Sequence, residues 1–111
     1  MKVKSFLAYY PGKPLVLQFL SYPNGRKAIQ AVAPDGEPVA TLSVNLVNDS
    51  LPKDHIYIKE WSENMGAEQT LIVAGIIDPI PTTAAASGFV QANCFRLTPK
   101  ALRQWKEKQS A

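Results

Sequence analysis

The sequence has little of the chemistry that metal centres, disulfides and membrane spans require. Its 111 residues include one cysteine, Cys94, and one histidine, His55. A structural zinc site takes several Cys and His ligands at set spacings, so the sequence predicts no metal site. A lone cysteine forms no internal disulfide, which is typical of a reducing compartment and predicts a cytoplasmic location. No apolar run approaches the ~20 residues of a membrane-spanning helix, so no membrane association is expected.

The motifs of common catalytic sites are missing as well. There is no glycine-rich loop of the kinds that cradle phosphates and no G-x-S-x-G nucleophile elbow. Two catalytic arrangements stay open on residue type alone: a thiolate–imidazole pair of Cys94 with His55, and the carboxylates Glu60 and Glu63. A buried cysteine acting as a small apolar side chain, and acids serving the end of a helix, explain the same residues. We therefore expect no enzyme and no cofactor.

The charge balance is mildly basic. The chain has 12 Lys and Arg residues against 9 Asp and Glu residues, which gives a net charge of +3. This balance favours acidic partners and disfavours mimicry of DNA, because a mimic must carry the negative charge of phosphates. It does not reach the dense Lys and Arg clusters that usually accompany nucleic-acid binding.

Turn-forming dipeptides separate short apolar runs and predict an antiparallel meander in the first half of the chain. Asn24-Gly25 and Asp35-Gly36 stand at the centres of two such turns. The segment 76–88, with prolines and small residues, is expected to be a loop or a broken extended stretch. The predicted strands are 15–22, 27–33, 39–47, 55–61 and 89–97.

Two helices complete the predicted fold. The first is predicted over 63–74, with Ser62 as its N-cap and Gly75 at its end. The second is a basic helix over about 98–109. We predict one α+β domain over 1–111, in which an antiparallel sheet of about five strands is packed by one central helix, with a C-terminal helix added.

The strand 55–61 provides the candidate partner-binding surface. Alternation places Ile56 and Ile58 on one side, and we expect this side to face the core together with Leu42, Val44 and Cys94. The other side combines aromatic rings, a lysine and amides, which supply contact area and orientation in binding surfaces. The candidate residues are Tyr57, Lys59, Trp61, Asn45, Gln91 and Asn93, with Phe95 expected beside them.

A second interpretation of the same face stays open. The C-terminal helix has a narrow apolar stripe of Leu102 and Trp105. This helix would then lie across Tyr57 and Trp61, because soluble proteins seldom leave large aromatic patches bare.

The C-terminal helix is itself a candidate for nucleic-acid contact. Its cations are Lys100, Arg103, Lys106 and Lys108. Four cations on one short helix can reach phosphates. Solvation of the helix and favourable interaction with its C-terminal dipole also explain them, and are favoured because no recognised nucleic-acid motif accompanies these cations.

Four segments of the chain together carry a resemblance. They are YPNGRKAIQAV, DGEPVATLSVNL, IYIKEWSENMG followed by LIVAGII, and SGFVQANCFRL. In this pattern the chain resembles a family of small proteins of unknown function that bacterial plasmids, phages and other mobile elements encode. The resemblance covers about residues 15–97 and leaves the N-terminal dozen residues and the basic helix outside. It implies a fold and a setting, and it carries over no catalytic residue.

The expected function is non-enzymatic binding of a macromolecule in the service of a mobile element. The setting of the family suggests an inhibitor of a host defence complex, similar to anti-CRISPR proteins, with a host or phage protein complex as partner. The alternative is a nucleic-acid-binding accessory protein that uses Lys59, Trp61 and the basic helix. An exposed strand edge would also allow a homodimer.

Overall fold

Seven strands form two antiparallel sheets in a computed structural model, which describes the backbone of residues 1–110 and the side chains of residues 1–107. The four-stranded sheet has the order β1-β2-β3-β4, and the three-stranded sheet has the order β5-β7-β6. The strands are β1 (Lys2–Lys4), β2 (Pro14–Ser21), β3 (Lys27–Val32), β4 (Pro38–Thr41), β5 (His55–Ile58), β6 (Thr83–Ser87) and β7 (Val90–Arg96). The α+β class and the antiparallel meander are confirmed as far as β4. The single sheet of about five strands is wrong, and the predicted strand 55–61 pairs with β7 over His55–Ile58 instead of continuing the meander.

The division into two sheets arises where the predicted strand 39–47 leaves its neighbour. Pairing of β4 with β3 ends at Thr41, and the following residues turn to β5 instead. Ser43 forms an isolated bridge with Ile58, and the backbone N–H of Val44 donates to Tyr57. The predicted strand 39–47 therefore changes its pairing partner after Thr41. The alternation of apolar and polar residues along this segment does not show where that change occurs.

The main core lies between the sheets and the helices. It contains Ile56, Ile58 and Phe95, together with Leu42 and Trp105, all buried. The prediction that Ile56 and Ile58 face the core is confirmed. The prediction for Phe95 is wrong, because Phe95 pairs with Ile56 across β5 and β7, and directly opposed residues share a face.

A second buried cluster covers the other face of the three-stranded sheet. Its buried members are Tyr57, Ala92 and Cys94, and Val44, Leu46, Leu51, Trp61 and Ala85 pack around them. Cys94 and Val44 therefore do not face the core with Ile56, contrary to expectation. Cys94 pairs with Tyr57 across the strands and follows it to this side. The loop after β4 thus seals a face that was expected to be open.

The predicted helix over 63–74 is divided. Ser62–Asn64 forms a single 3₁₀ turn, and α1 spans Ala67–Val73. Ser62 is not the N-cap, since it adopts a left-handed φ of 55° and Trp61 precedes the turn. Gly66 stands before α1 with φ 99°, so the chain changes direction inside the predicted helix. Gly75 ends this region in the left-handed conformation, as predicted.

The C-terminal helix α2 spans Pro99–Ser110 and docks on the four-stranded sheet. Thr98 caps it by accepting a hydrogen bond from the backbone N–H of Ala101 at 3.1 Å. The Trp105 ring meets Phe19 edge to face at 4.9 Å, and its indole N–H donates to the carbonyl of Leu20 at 2.8 Å. The helix therefore does not cover Tyr57. The second interpretation is wrong, because the loop after β4, and not the C-terminal helix, packs over that face.

Candidate functional site

Tyr57, the centre of the predicted binding surface, is buried. Only 3% of its surface is exposed, and its hydroxyl donates to the backbone carbonyl of Ser50 at 2.8 Å. Burial is the main cause that raises the pKa of this phenol, and the nearby Cys94 and Asp49 add to the shift. Its side chain is a structural support for the loop after β4 and offers no ring to a partner.

The other predicted residues of that face have separate environments. Trp61 is half-buried against the Tyr57 cluster, and Asn45 accepts a hydrogen bond from the side chain of Asn24 at 3.2 Å. Asn93 donates to Glu68 at 3.0 Å, on the side of the sheet opposite Tyr57. The structure therefore does not bring the predicted set together on one open face.

Gln91 and Lys59 complete the predicted set. Gln91 is exposed on β7. Lys59 is partly exposed, and its ammonium forms an ion pair with Glu63 at 3.1 Å. This ion pair places Lys59 at the rim of a groove that sequence reasoning did not identify.

The cations of α2 are spread over its surface. Lys100 donates to the carbonyl of Ala74 at 2.9 Å and so helps to cap the end of α1. Arg103 and Lys106 are exposed. The side chain of Lys108 lies outside the described residues.

The candidate catalytic residues have structural partners. Burial raises the pKa of the Cys94 thiol, which disfavours the nucleophilic thiolate. The ring nitrogens of His55 lie 2.8 Å from the Lys53 carbonyl and 3.2 Å from the Thr82 hydroxyl. Glu60 accepts the backbone N–H groups of Gly66 and Glu68, each at 2.7 Å, and so serves the start of α1. These contacts do not activate a nucleophile.

An open groove of about 430 Å³ lies between the loop 5–13 and the turn that joins β3 to β4. Leu7 and Val39 are among its apolar lining residues, and Tyr9 and Tyr10 contribute aromatic rings. We call this feature the tyrosine groove. Its volume falls in the range of about 300–1,000 Å³ that is usual for binding pockets.

The aromatic side of the groove is unusually open to solvent. Tyr9 is 78% exposed, and Met65, 55% exposed, belongs to the neighbouring segment. The backbone N–H of Ala8 donates to the carbonyl of Met65 at 2.8 Å, which brings the two segments side by side. Tyrosine and methionine are enriched in protein interfaces, because both supply adaptable contact area.

The charged residues that line the groove are all acidic: Asp35, Glu37 and Glu63. Asp35 and Glu37 are exposed on the turn, where the Asp35 carboxylate accepts the backbone N–H of Glu37 at 3.0 Å. Two lysines approach from outside: Lys59 pairs with Glu63, and the Lys13 ammonium lies 5.1 Å from the centroid of the Tyr10 ring. Lysine side chains of the protein itself therefore already contact one carboxylate and one aromatic ring of the groove.

The loop 5–13 is held firmly, so the groove is formed before any ligand arrives. Leu7 is buried in the main core at 1% exposure, and the backbone N–H of Phe6 donates to the Thr70 hydroxyl at 2.9 Å. The backbone N–H of Gly12 donates to the carbonyl of Ser5 at 2.9 Å and closes the loop. A binding surface that is ordered in advance loses less conformational entropy on association.

Sequence reasoning missed the groove because its two sides are far apart along the chain. The Tyr9-Tyr10 pair beside Pro11-Gly12 was a usable signal, since adjacent tyrosines in a turn segment are seldom both buried. The acidic turn 34–38 was identified as a turn only. Nothing in the spacing indicated that the two segments face each other.

No protein-family model, curated protein or solved structure matches this chain. Within residues 1–107 no group of His, Cys, Asp and Glu side chains is arranged to hold a metal ion. Neither described helix has the length and apolar character that crossing a membrane demands.

Proposed function

We propose that this protein is a non-enzymatic accessory protein that binds a protein partner, and that the tyrosine groove receives a basic segment of that partner. The observation that carries the proposal is the 78% exposure of Tyr9 on the rim of a preformed groove whose charged lining is entirely acidic. Apolar lining residues accept the aliphatic stem of a lysine or arginine, while carboxylates and tyrosine faces attract its charged end.

The charge distribution supports a basic partner segment at this place. The chain as a whole carries +3, so acidic residues gathered at one groove stand out against a basic background. Complementary charge at an interface steers encounter and fixes register, and aromatic anchors supply the larger share of affinity. The setting implied by the family resemblance makes a host defence complex the specific partner that we propose.

The rival function, nucleic-acid binding, draws on a different face. Lys2, Lys4 and Lys100 line a groove of about 240 Å³ between β1, the end of α1 and the start of α2. Lys100 is engaged with the Ala74 carbonyl there. Retention of random-sequence single-stranded DNA that falls steeply with salt would favour this rival.

Peptide selection tests the proposal while the partner is still unidentified. Short random peptides displayed on phage are selected against the immobilised full chain, and the recovered peptides are titrated by fluorescence anisotropy. We expect recovered peptides to combine Lys or Arg with apolar residues. Tyr9→Ala and Glu37→Lys should each weaken their binding by about tenfold or more, since central anchors dominate interface energy.

Two variants provide matched controls. Phe89→Ala truncates another exposed aromatic residue, and Glu107→Lys makes the same charge reversal on the exposed surface of α2. Each should change peptide affinity by less than about twofold, because neither lies at the groove. Peptides without basic residues, or equal losses in the groove variants and the controls, would overturn the proposal.

A further inference from the structure

The two free sheet edges differ in their protection. Ser43, just beyond β4, bridges Ile58 of β5, so the two sheets join on that side, and β1 and β6 are the end strands away from this junction in the described chain. β1 is three residues long and carries Lys2 and Lys4, the kind of charged, short edge that resists pairing with another chain. β6 is five residues long, has the sequence TAAAS and carries neither charge nor proline. The edge of β6 is therefore open to an added strand.

The hairpin geometry shows which backbone groups of β6 point outward. Gly88 and Phe89 form a two-residue loop between the paired residues Ser87 and Val90, and Gly88 has φ 62°. In such a hairpin the residues that flank the loop exchange both backbone hydrogen bonds, and the pattern alternates along the ladder. Ala84 and Ala86 therefore direct their N–H and C=O groups away from β7, and both are exposed.

The sequence segment that contains β6 lacks charge. From Pro79 to Phe95 the sequence contains no Asp, Glu, Lys or Arg, whereas the whole chain carries +3. Two copies that pair at β6 therefore bring no like charges of this segment together. Ile80, 77% exposed, precedes the strand, and the fully exposed Phe89 follows it, so an apolar side chain stands at each end.

We propose that two copies of this chain pair antiparallel through β6, about a two-fold axis at Ala85. In this register Ala84 of each copy lies opposite Ala86 of the other, and every outward N–H meets an outward C=O. Phe89 of each copy then reaches the end of the second strand where Ile80 lies. The proposal uses residues distinct from the tyrosine groove and does not depend on the function proposed for it.

Cysteine crosslinking tests the register. Across the axis, the two copies of Ala85 form a non-hydrogen-bonded pair with Cα atoms about 4.5 Å apart, within reach of a disulfide. In a Cys94→Ala background, Ala85→Cys should form a covalent dimer when oxidised glutathione is added. Thr83→Cys is the control, because its two copies would lie more than about 12 Å apart in this register and should stay uncrosslinked.

Sedimentation velocity of the full chain tests the association itself. The unaltered chain should shift from monomer to dimer between about 1 μM and about 1 mM. Ala86→Lys keeps every bond of the β6–β7 ladder and should abolish the shift, whereas Tyr9→Ala should leave it unchanged. A monomer throughout this range, a shift that survives Ala86→Lys, or equal crosslinking at positions 83 and 85 would overturn the proposal. None of these results would bear on peptide binding in the groove.

Discussion

At the scale of single residues, Gly66 joins the wall of the tyrosine groove to the start of α1. Its φ of 99° is one that side chains rarely adopt, and a Cβ at this position would overlap the backbone carbonyl group of Phe6. The backbone at Gly66 therefore lies closer to the Phe6 carbonyl group than any residue with a side chain would allow. The groove depends on this contact because the carbonyl belongs to the loop 5–13 that carries Tyr9.

Gly66→Ala should lower the free energy of unfolding by more than about 3 kcal/mol, since backbone strain and displacement of the loop add together. Gly12→Ala is the matched control, because Gly12 also has a positive φ but has open space around it. The control should cost about 1 kcal/mol. Urea denaturation of both variants measures the difference, and equal costs would contradict the role assigned to the Phe6 contact.

Glu68 gives the fold a pH dependence of predictable sign. Burial, with a smaller contribution from Glu60, raises its pKa above the ordinary value of 4.5, although the hydrogen bond from Asn93 opposes the shift. The folded chain therefore retains a proton that the unfolded chain has released. The free energy of unfolding contributed by this group falls as the pH rises from 4.5 through the raised pKa.

Glu68→Gln should remove this fall while keeping an acceptor for Asn93. The variant should therefore gain stability relative to the unaltered chain between acidic and neutral pH. Glu63→Gln is the contrasting control, because hydrogen bonds from its own backbone N–H and then from Lys59 lower the pKa of Glu63. Relative to the unaltered chain, the free energy of unfolding of Glu63→Gln should therefore fall, not rise, as the pH increases. Urea titrations at pH values from about 4 to about 7 measure both slopes, and slopes of the same sign would contradict this assignment.

At the scale of elements, α2 is held by one large side chain. Trp105 is 4% exposed, packs against Phe19 and donates a hydrogen bond to Leu20, while the Lys27 ammonium lies 5.8 Å from its ring centroid. Leu102, the other member of the predicted stripe, is only partly buried. The apolar stripe of α2 was correctly predicted. That it packs against β2 could not be, because this depends on contacts between residues far apart in sequence.

Trp105→Ala should cost about 3–5 kcal/mol of unfolding free energy, because it removes a buried ring and the hydrogen bond from the indole N–H to the Leu20 carbonyl. Leu102→Ala, on the same face, should cost less than half as much, since this side chain is already partly solvated. Thermal or urea unfolding monitored by far-UV circular dichroism compares the two. A similar cost for both would show that α2 is not anchored at Trp105.

The sequence predicted the positions of individual strands better than it predicted which segments pair or pack against each other. The strands around residues 15–22, 27–33 and 89–97 were identified because turn residues delimit them and alternation holds within them. β6 was missed, since its alanines and the preceding prolines are not typical of strands, and its pairing with β7 supplies the stability that propensity lacks. Gly66 divided the predicted first helix because tertiary contact with Phe6 overrides local periodicity.

At the scale of the whole molecule, the candidate site could not be predicted because it depends on which segments meet. Strand alternation correctly separated Ile56 and Ile58 from Tyr57, but it did not show that the loop after β4 would cover Tyr57. The tyrosine groove brings together the loop 5–13, the turn between β3 and β4, and Glu63 from the segment before α1. Two faces of the molecule, the groove and the β6 edge, emerge only from the arrangement of the two sheets.

A nuclear magnetic resonance titration of the ¹⁵N-labelled chain with a basic peptide recovered by selection shows directly where the peptide binds. If the groove is the binding site, the largest amide shifts should fall at Tyr9, Tyr10 and the turn 34–38, with Asp35 and Glu37 included. The shifts should need at least about tenfold more peptide in Glu37→Lys and should be unchanged in Glu107→Lys. Shifts centred on β6 or α2, with the groove amides unmoved, would contradict the central claim that this groove binds the partner.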